Sequence, residues 1–171
     1  MSVRAEELAT RFEQANQTVI DMVSGSADLS VTCPVEGWTA AALGAHVGGG
    51  HFGIVEYLIK PIVASQELQP FDLASFNEGN AKAAAENATL PKDQVLVLLR
   101  DNGATAAAYL RSLSDDDLDR TTTLPVFGPE PVTAQQVIEM VLIGHPLDHG
   151  NSLRQGLGHA EHEHTLQGAP A

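Results

Sequence analysis

Residues 38–53 read WTAAALGAHVGGGHFG, and the reading of this stretch decides the fold. Thr39 is a good N-cap, and Trp38 is the apolar residue that often stands just before one. Small and apolar residues follow with no period-two alternation, so the stretch predicts a helix running to about Leu58 and stopping before or near Pro61. His46 stands in the middle of this helix, where an exposed surface residue is not expected.

Outward from it, the same period recurs. Leu8, Phe12, Ala15, Val19, Met22 and Val23 mark one face of a first helix of about five turns. Gly25 and the run SADLSVTCPVEG break it, with Pro34 and Gly37 as punctuation. An Ala-rich stretch from Asp72 to Asn87 fits a shorter helix. Pro91 sits where a first-turn proline belongs. Val95, Leu98, Leu99, Asn102, Ala106, Tyr109, Leu110 and Leu113 then give the buried stripe of a third long helix. The segment SDDDLDRTTTLPVFGPEPV, rich in proline, reads as a long loop with brief extended pieces. Thr133 caps a last long helix from Ala134 to about Gly156, whose inner face includes Val137, Ile138 and Val141. The expectation is an all-α antiparallel helix bundle formed by residues 1–158. The tail, 159–171, carries no apolar period and is expected to be disordered, its His159, His162 and His164 dangling.

The composition agrees with one domain: 171 residues, 43% hydrophobic and 18% charged. No apolar run is long enough for a membrane span, and the N-terminus MSVRAEELATRFEQ has no signal-peptide pattern, so a cytoplasmic address is expected. The single cysteine, Cys33, suits a reducing compartment. With a net charge of -13 and only nine basic residues, the chain lacks the cations that nucleic acid or an anionic membrane surface would require. The apolar share of a thin bundle leads us to expect a homodimer.

The residues that carry chemistry are histidines. In GHPLDHGNSLRQGLG, His145 and His149 are four apart and so stack on one helix face, close enough to share an ion. Two half-exposed surface histidines would show the same spacing. His46 in an apolar helix is, taken alone, more often a core histidine satisfied by a carbonyl. Three histidines on two apolar helix faces are nonetheless the way bundles build metal sites. Neutral imidazole suits zinc, nickel, copper and iron, and three protein ligands leave a position open for water or substrate. Gly48, Gly49, Gly50 and Gly53 each cost ~1 kcal/mol against Ala in a helix. Gly50 and Gly53 fall within about 40° of His46 on the helix wheel, which marks them as candidates to leave space for a ligand; close helix packing, or a helix that ends at Val47, explains them equally well. His51 lies about 140° away and is not expected on the same ion. Pro146 should bend or loosen its helix. Asp148 could accept from an imidazole N–H, although a solvated carboxylate accounts for it as well.

The pattern W-T-x-x-x-L-x-x-H on Trp38, Thr39, Leu43 and His46, followed about 100 residues later by the His145/His149 pair and L-R-x-x-L-G, resembles the DinB-like superfamily. The phrase TCPVEGWTAAALGAHV and the segment from Phe71 to Asn77 resemble its mycothiol-dependent maleylpyruvate isomerase branch. The resemblance implies a four-helix bundle in up-down-down-up order with a long crossover. It also implies a metal on three ligands, which fall on His46, His145 and His149; the three histidines themselves lead us to expect about one divalent ion per chain, zinc or nickel. In the isomerase the first of the paired ligands is a carboxylate, so His145 is a departure. Relatives of this kind imply a transferase or isomerase that pairs a low-molecular-weight thiol such as mycothiol with an electrophilic substrate. The alternative is a non-catalytic metal-binding or small-ligand-binding bundle.

Overall fold

The computed structural model describes residues 2–70, 72–124 and 127–158. The tail from 159 on and Phe71 lie outside the described residues. Helix α1 (Val3–Gly25) opens on Ser2, whose hydroxyl accepts from the Ala5 N–H. Helix α2 (Ala40–Ile54) opens as expected on Thr39, which accepts from the Ala42 N–H. It continues through a wider π turn (Val55–Ile59) into α3 (Lys60–Val63). Helix α4 (Leu73–Glu86) starts on Asp72 and buries only Ala84. Helix α5 (Lys92–Ser112) follows Pro91.

Two local expectations are corrected. The helical rod ends near Pro61 as expected, but it passes the proline and stops at Val63 rather than at about Leu58. Proline lacks the N–H of the helical ladder and crowds the carbonyl four residues back; the π turn, closed by the Lys60 N–H on the Val55 carbonyl, accommodates both. The same device recurs in the last helix, which is α7 (Ala134–Val137), a π turn (Ile138–Ile143) and α8 (Gly144–Gly156) in one rod. Here the Gly144 N–H reaches the Glu139 carbonyl just ahead of Pro146. The second correction is α6 (Asp115–Leu118), a single turn inside the expected loop. Ser114 and Asp117 close a reciprocal cap around it. Beyond it a short antiparallel ladder pairs β1 (Thr121–Thr122) with β2 (Val132–Thr133).

Helix directions follow from residue pairs. Arg111 near the end of α5 meets Glu6 and Glu13 in the first half of α1, so these two run antiparallel. Gly44 lies against Val95, and Gly48 against Leu98 and Leu99, so α2 and α5 run parallel. Gly50 faces His145 and His46 faces His149, so α2 and α8 are antiparallel. Arg4 meets Gln135, Arg11 meets Glu139 and Gly150 rests on Met22 and Val19, so the last rod runs with α1. This is the up-down-down-up four-helix bundle, and the stretch holding α3 and α4 is the crossover that parallel α2 and α5 need. None of the described helices is long and apolar enough to cross a membrane.

The core falls into two apolar clusters. One gathers Leu8, Phe12, Ile59, Leu110 and Ile138; the other gathers Val19, Val23, Leu43, Leu99 and Leu153. Between them runs a polar layer. The His51 Nε2–H donates to Asn16 Oδ1 at 2.8 Å, and Asn16 Nδ2 donates to the Leu99 carbonyl at 2.9 Å. Asn102 Nδ2 donates to the Gly48 carbonyl at 2.9 Å. These bonds tie α1, α2 and α5 together at mid-bundle, at the level where the three candidate histidines meet.

Candidate metal centre

Helix α2 contributes His46, and α8 contributes His145 and His149 one turn apart. Antiparallel packing brings all three together. One ring nitrogen from each lies within 4.8 Å of the others, and the Nε2 atoms of His46 and His145 are 3.0 Å apart. Two nitrogens at 2.0–2.1 Å from a tetrahedral ion would be roughly 3.3 Å apart; the His46–His145 pair nearly matches that spacing, and the wider separations, up to 4.8 Å, must close for all three to share one ion. Ring centroids are 4.7 to 5.0 Å apart around the triangle. All three side chains are half-buried.

The electrostatics suit ligation, which requires neutral imidazole. Burial, with His149 adding to it, pushes the His46 pKa down to about 4. Burial and the neighbouring imidazoles push His145 lower still. Both are therefore neutral across the physiological range with their lone pairs available. The Nδ1 of His145 is buried and meets no partner among the described residues.

His149 is held differently. Its Nδ1–H donates to Glu36 Oε1 at 2.7 Å, which leaves Nε2 with the lone pair that could bind an ion. Ser152 Oγ donates to the other oxygen of the same carboxylate, and the Val35 N–H reaches Ser152 Oγ at 3.3 Å. Burial pushes the Glu36 carboxyl up, but the hydrogen bonds from Ser152 and His149 outweigh it and hold it below its ordinary range. Trp38, from the same loop, stands edge-on to His46 with centroids 5.2 Å apart.

Gly50 and Gly53 behave differently from each other. A β-carbon on Gly50 would lie 2.5 Å from Cε1 of His145, so the space at Gly50 is taken by that ring; nothing lies within 4 Å of the corresponding point on Gly53. Gly48 serves helix contact, because its β-carbon would meet the Leu98–Leu99 backbone at 2.9 Å. His51 points away from the triangle as its helix angle requires, fully buried against Phe12. Asp148 is exposed; the carboxylate beside His149 comes from Glu36. Sequence reasoning missed Glu36 and Ser152. Ser152 carried a signal, being three residues past His149 on the same helix face. Glu36 carried none, since a loop residue's docking partner is not written in local periodicity.

The family model of the mycothiol maleylpyruvate isomerase N-terminal domain matches residues 7–147, a span holding His46 and His145 and ending two residues before His149. No curated protein sequence matches the chain. Among solved structures, mycothiol-dependent maleylpyruvate isomerase is similar at 20% identity and a TM-score of 0.66, over 90% of this chain and 63% of that one. YfiT from Bacillus subtilis, described as a probable metal-dependent hydrolase with an unusual four-helix bundle topology, is similar at 17% identity and a TM-score of 0.66, over 94% of this chain and 91% of that one. The sibling lethal factor precursor DfsB is similar at 17% identity and a TM-score of 0.67, over 91% of this chain and 95% of that one. At these identities the likeness is one of fold, and the chain spans less than two thirds of the isomerase's length.

Proposed function

The chain belongs to the mycothiol maleylpyruvate isomerase N-terminal domain family, and from that premise we propose that it holds one divalent ion on His46, His145 and His149 and brings a low-molecular-weight thiol to an electrophilic substrate. The observation that carries this reading is the triangle of imidazole donors within 4.8 Å, two of them kept neutral by burial. Zinc or nickel is the first candidate among the ions that imidazole ligands suit. When bound, the ion supplies positive charge that lowers the pKa of a thiol and favours its thiolate, the nucleophilic form.

The protein's own residues do the rest. Three neutral ligands leave the ion's charge uncompensated, so an anionic thiolate is the ligand class the site should accept. Trp38 forms an apolar wall beside His46, and the open surface at Gly53 leaves room on the α2 side for the electrophile. A mycothiol-like thiol is the first candidate. A homodimer belongs to the same reading: Phe52, Tyr57, Leu73, Phe76 and Leu147 are all large, apolar and exposed, and sedimentation at micromolar concentration tests it.

One observation favours a second reading, a non-catalytic metal-binding module. The space at Gly50 is filled by a ligand ring rather than left for a substrate. Cobalt substitution separates the two. Thiolate ligation adds an intense near-ultraviolet charge-transfer band. The transferase or isomerase reading expects that band with a biological thiol, mycothiol first, and its loss in His145→Ala. Metal binding without the band for any thiol favours the module. Full metal stoichiometry in both His46→Ala and His149→Ala would overturn the site itself.

A further inference from the structure

We propose that Glu36 is the positioning residue of the metal centre, a carboxylate supplied by the α1–α2 loop that orients His149 for ligation and adds a negative charge matched to the ion beyond it. The proposal rests on the metal reading of the three histidines and assigns a role to a residue outside that set.

Three observations support it. The first is direction. A neutral imidazole has one N–H and one lone pair, and the carboxylate fixes the N–H on Nδ1 at 2.7 Å, which turns the Nε2 lone pair toward His46 and His145. The second is charge. The Glu36 side chain is only 11% exposed, and its only ion-pair partner among the described residues is His149; no lysine or arginine is paired with it. A carboxylate placed there, beside His149, has no lysine or arginine cation opposite it. A divalent ion on the far side of the His149 ring would provide one. The third is support. Ser152 Oγ donates to the second carboxylate oxygen and itself accepts from the Val35 N–H, while Cys33 of the same loop packs against Gly156 at the end of α8. The loop is thus docked on the helix that carries the ligand pair, and Glu36 is held on both oxygens.

The consequence is a division of labour. His145 is set by the close approach of α2 at Gly50, through shape. His149 is set by Glu36, through charge and a hydrogen bond. Removing the charge while keeping an acceptor separates the metal role from a merely structural one. In Glu36→Gln the amide oxygen can still accept from Nδ1–H, so the loop can stay docked.

The test measures zinc affinity of the full chain by competition with a chelating dye, together with the visible cobalt spectrum, in the wild type, Glu36→Gln, Glu36→Ala and Ser152→Ala. Affinity should fall about 10–100-fold in Glu36→Gln and at least as far in Glu36→Ala. The ligand-field bands of cobalt should shift in both, because the histidine loses the electron-donating push of the carboxylate. Ser152→Ala should give a smaller loss in the same direction, and it carries the test if a Glu36 variant does not fold. Zinc affinity in Glu36→Gln within about threefold of wild type, with an unchanged cobalt spectrum, overturns the proposal. A wild type that binds neither zinc nor cobalt overturns the metal reading first and this assignment with it.

Discussion

Gly50 and His145 occupy one shared volume: a β-carbon on the glycine would lie 2.5 Å from Cε1 and 3.0 Å from Nδ1 of the imidazole. The ring can lie flat against α2 only because the glycine is there, and that contact fixes its Nε2 3.0 Å from that of His46. Gly50→Ala should therefore leave the fold intact, since the ring can swing outward, yet lower metal affinity by about tenfold or more through loss of donor placement. Gly53→Ala is the internal control. With nothing within 4 Å of its β-carbon position, it should gain up to ~1 kcal/mol of helix propensity and bind metal as the wild type does. Dye competition and thermal melts on both variants check the pair; equal metal affinity in Gly50→Ala would remove the glycine from the site.

Gly103 should be among the least replaceable small residues. A β-carbon there would come within 2.2 Å of Asn16 Nδ2, the atom that donates to the Leu99 carbonyl. Asn16 also receives the His51 N–H, so one added methyl group would disturb a hydrogen-bonded chain across three helices. Gly103→Ala should destabilise by about 3 kcal/mol, combining overpacking with buried polar groups left unpaired. Urea unfolding measures it, and a loss under ~1 kcal/mol would show that the layer yields at little cost.

His51 predicts a pH dependence. Burial lowers its pKa to about 4, against about 6.5 in the unfolded chain. Above pH 6.5 it is neutral in both states and favours neither. As pH falls from 6.5 toward 4 the unfolded chain takes up a proton that the folded chain refuses, so stability drops, by up to about 3 kcal/mol from this residue. His46 and His145 add to the same slope in the metal-free protein. His51→Gln should cost stability at neutral pH but flatten the slope between pH 6.5 and 4. An unchanged slope would mean that His51 is not the group responsible.

The sequence and the structure agree where side-chain periodicity settles the matter. The stripes on α1 and α5 and the cap at Thr39 are local, and the helix angle between His46 and His51 correctly sends the first to the triangle and the second to the core. What escaped was either non-local or masked. The π turns before Pro61 and Pro146 span only five and six residues, too few for a change of period to be read from hydrophobicity. Helix α6 did leave a mark, the Ser114-x-x-Asp117 cap, but nearby prolines at 125, 129 and 131 made the whole stretch read as loop. Glu36 reaches His149 across a separation of 113 residues, a distance over which only the assembled bundle determines contact.

Trp38 allows the metal reading to be tested without any assumption about chemistry. It is the chain's single tryptophan, and its ring stands 5.2 Å from that of His46, edge to face. A paramagnetic divalent ion held by that imidazole would sit within a few ångströms of the indole and quench its emission at short range. Titration with cobalt or copper should therefore reduce fluorescence in a saturable step that ends near one equivalent. Zinc, which has a closed d-shell, should bind to the same stoichiometry with little quenching and should block the cobalt response when added first. His46→Ala and His149→Ala should both abolish the step, although only the first alters a residue that touches Trp38; this contrast separates loss of the ion from loss of a ring contact. Quenching that persists in His149→Ala with the wild-type midpoint would place the ion away from the three-histidine triangle.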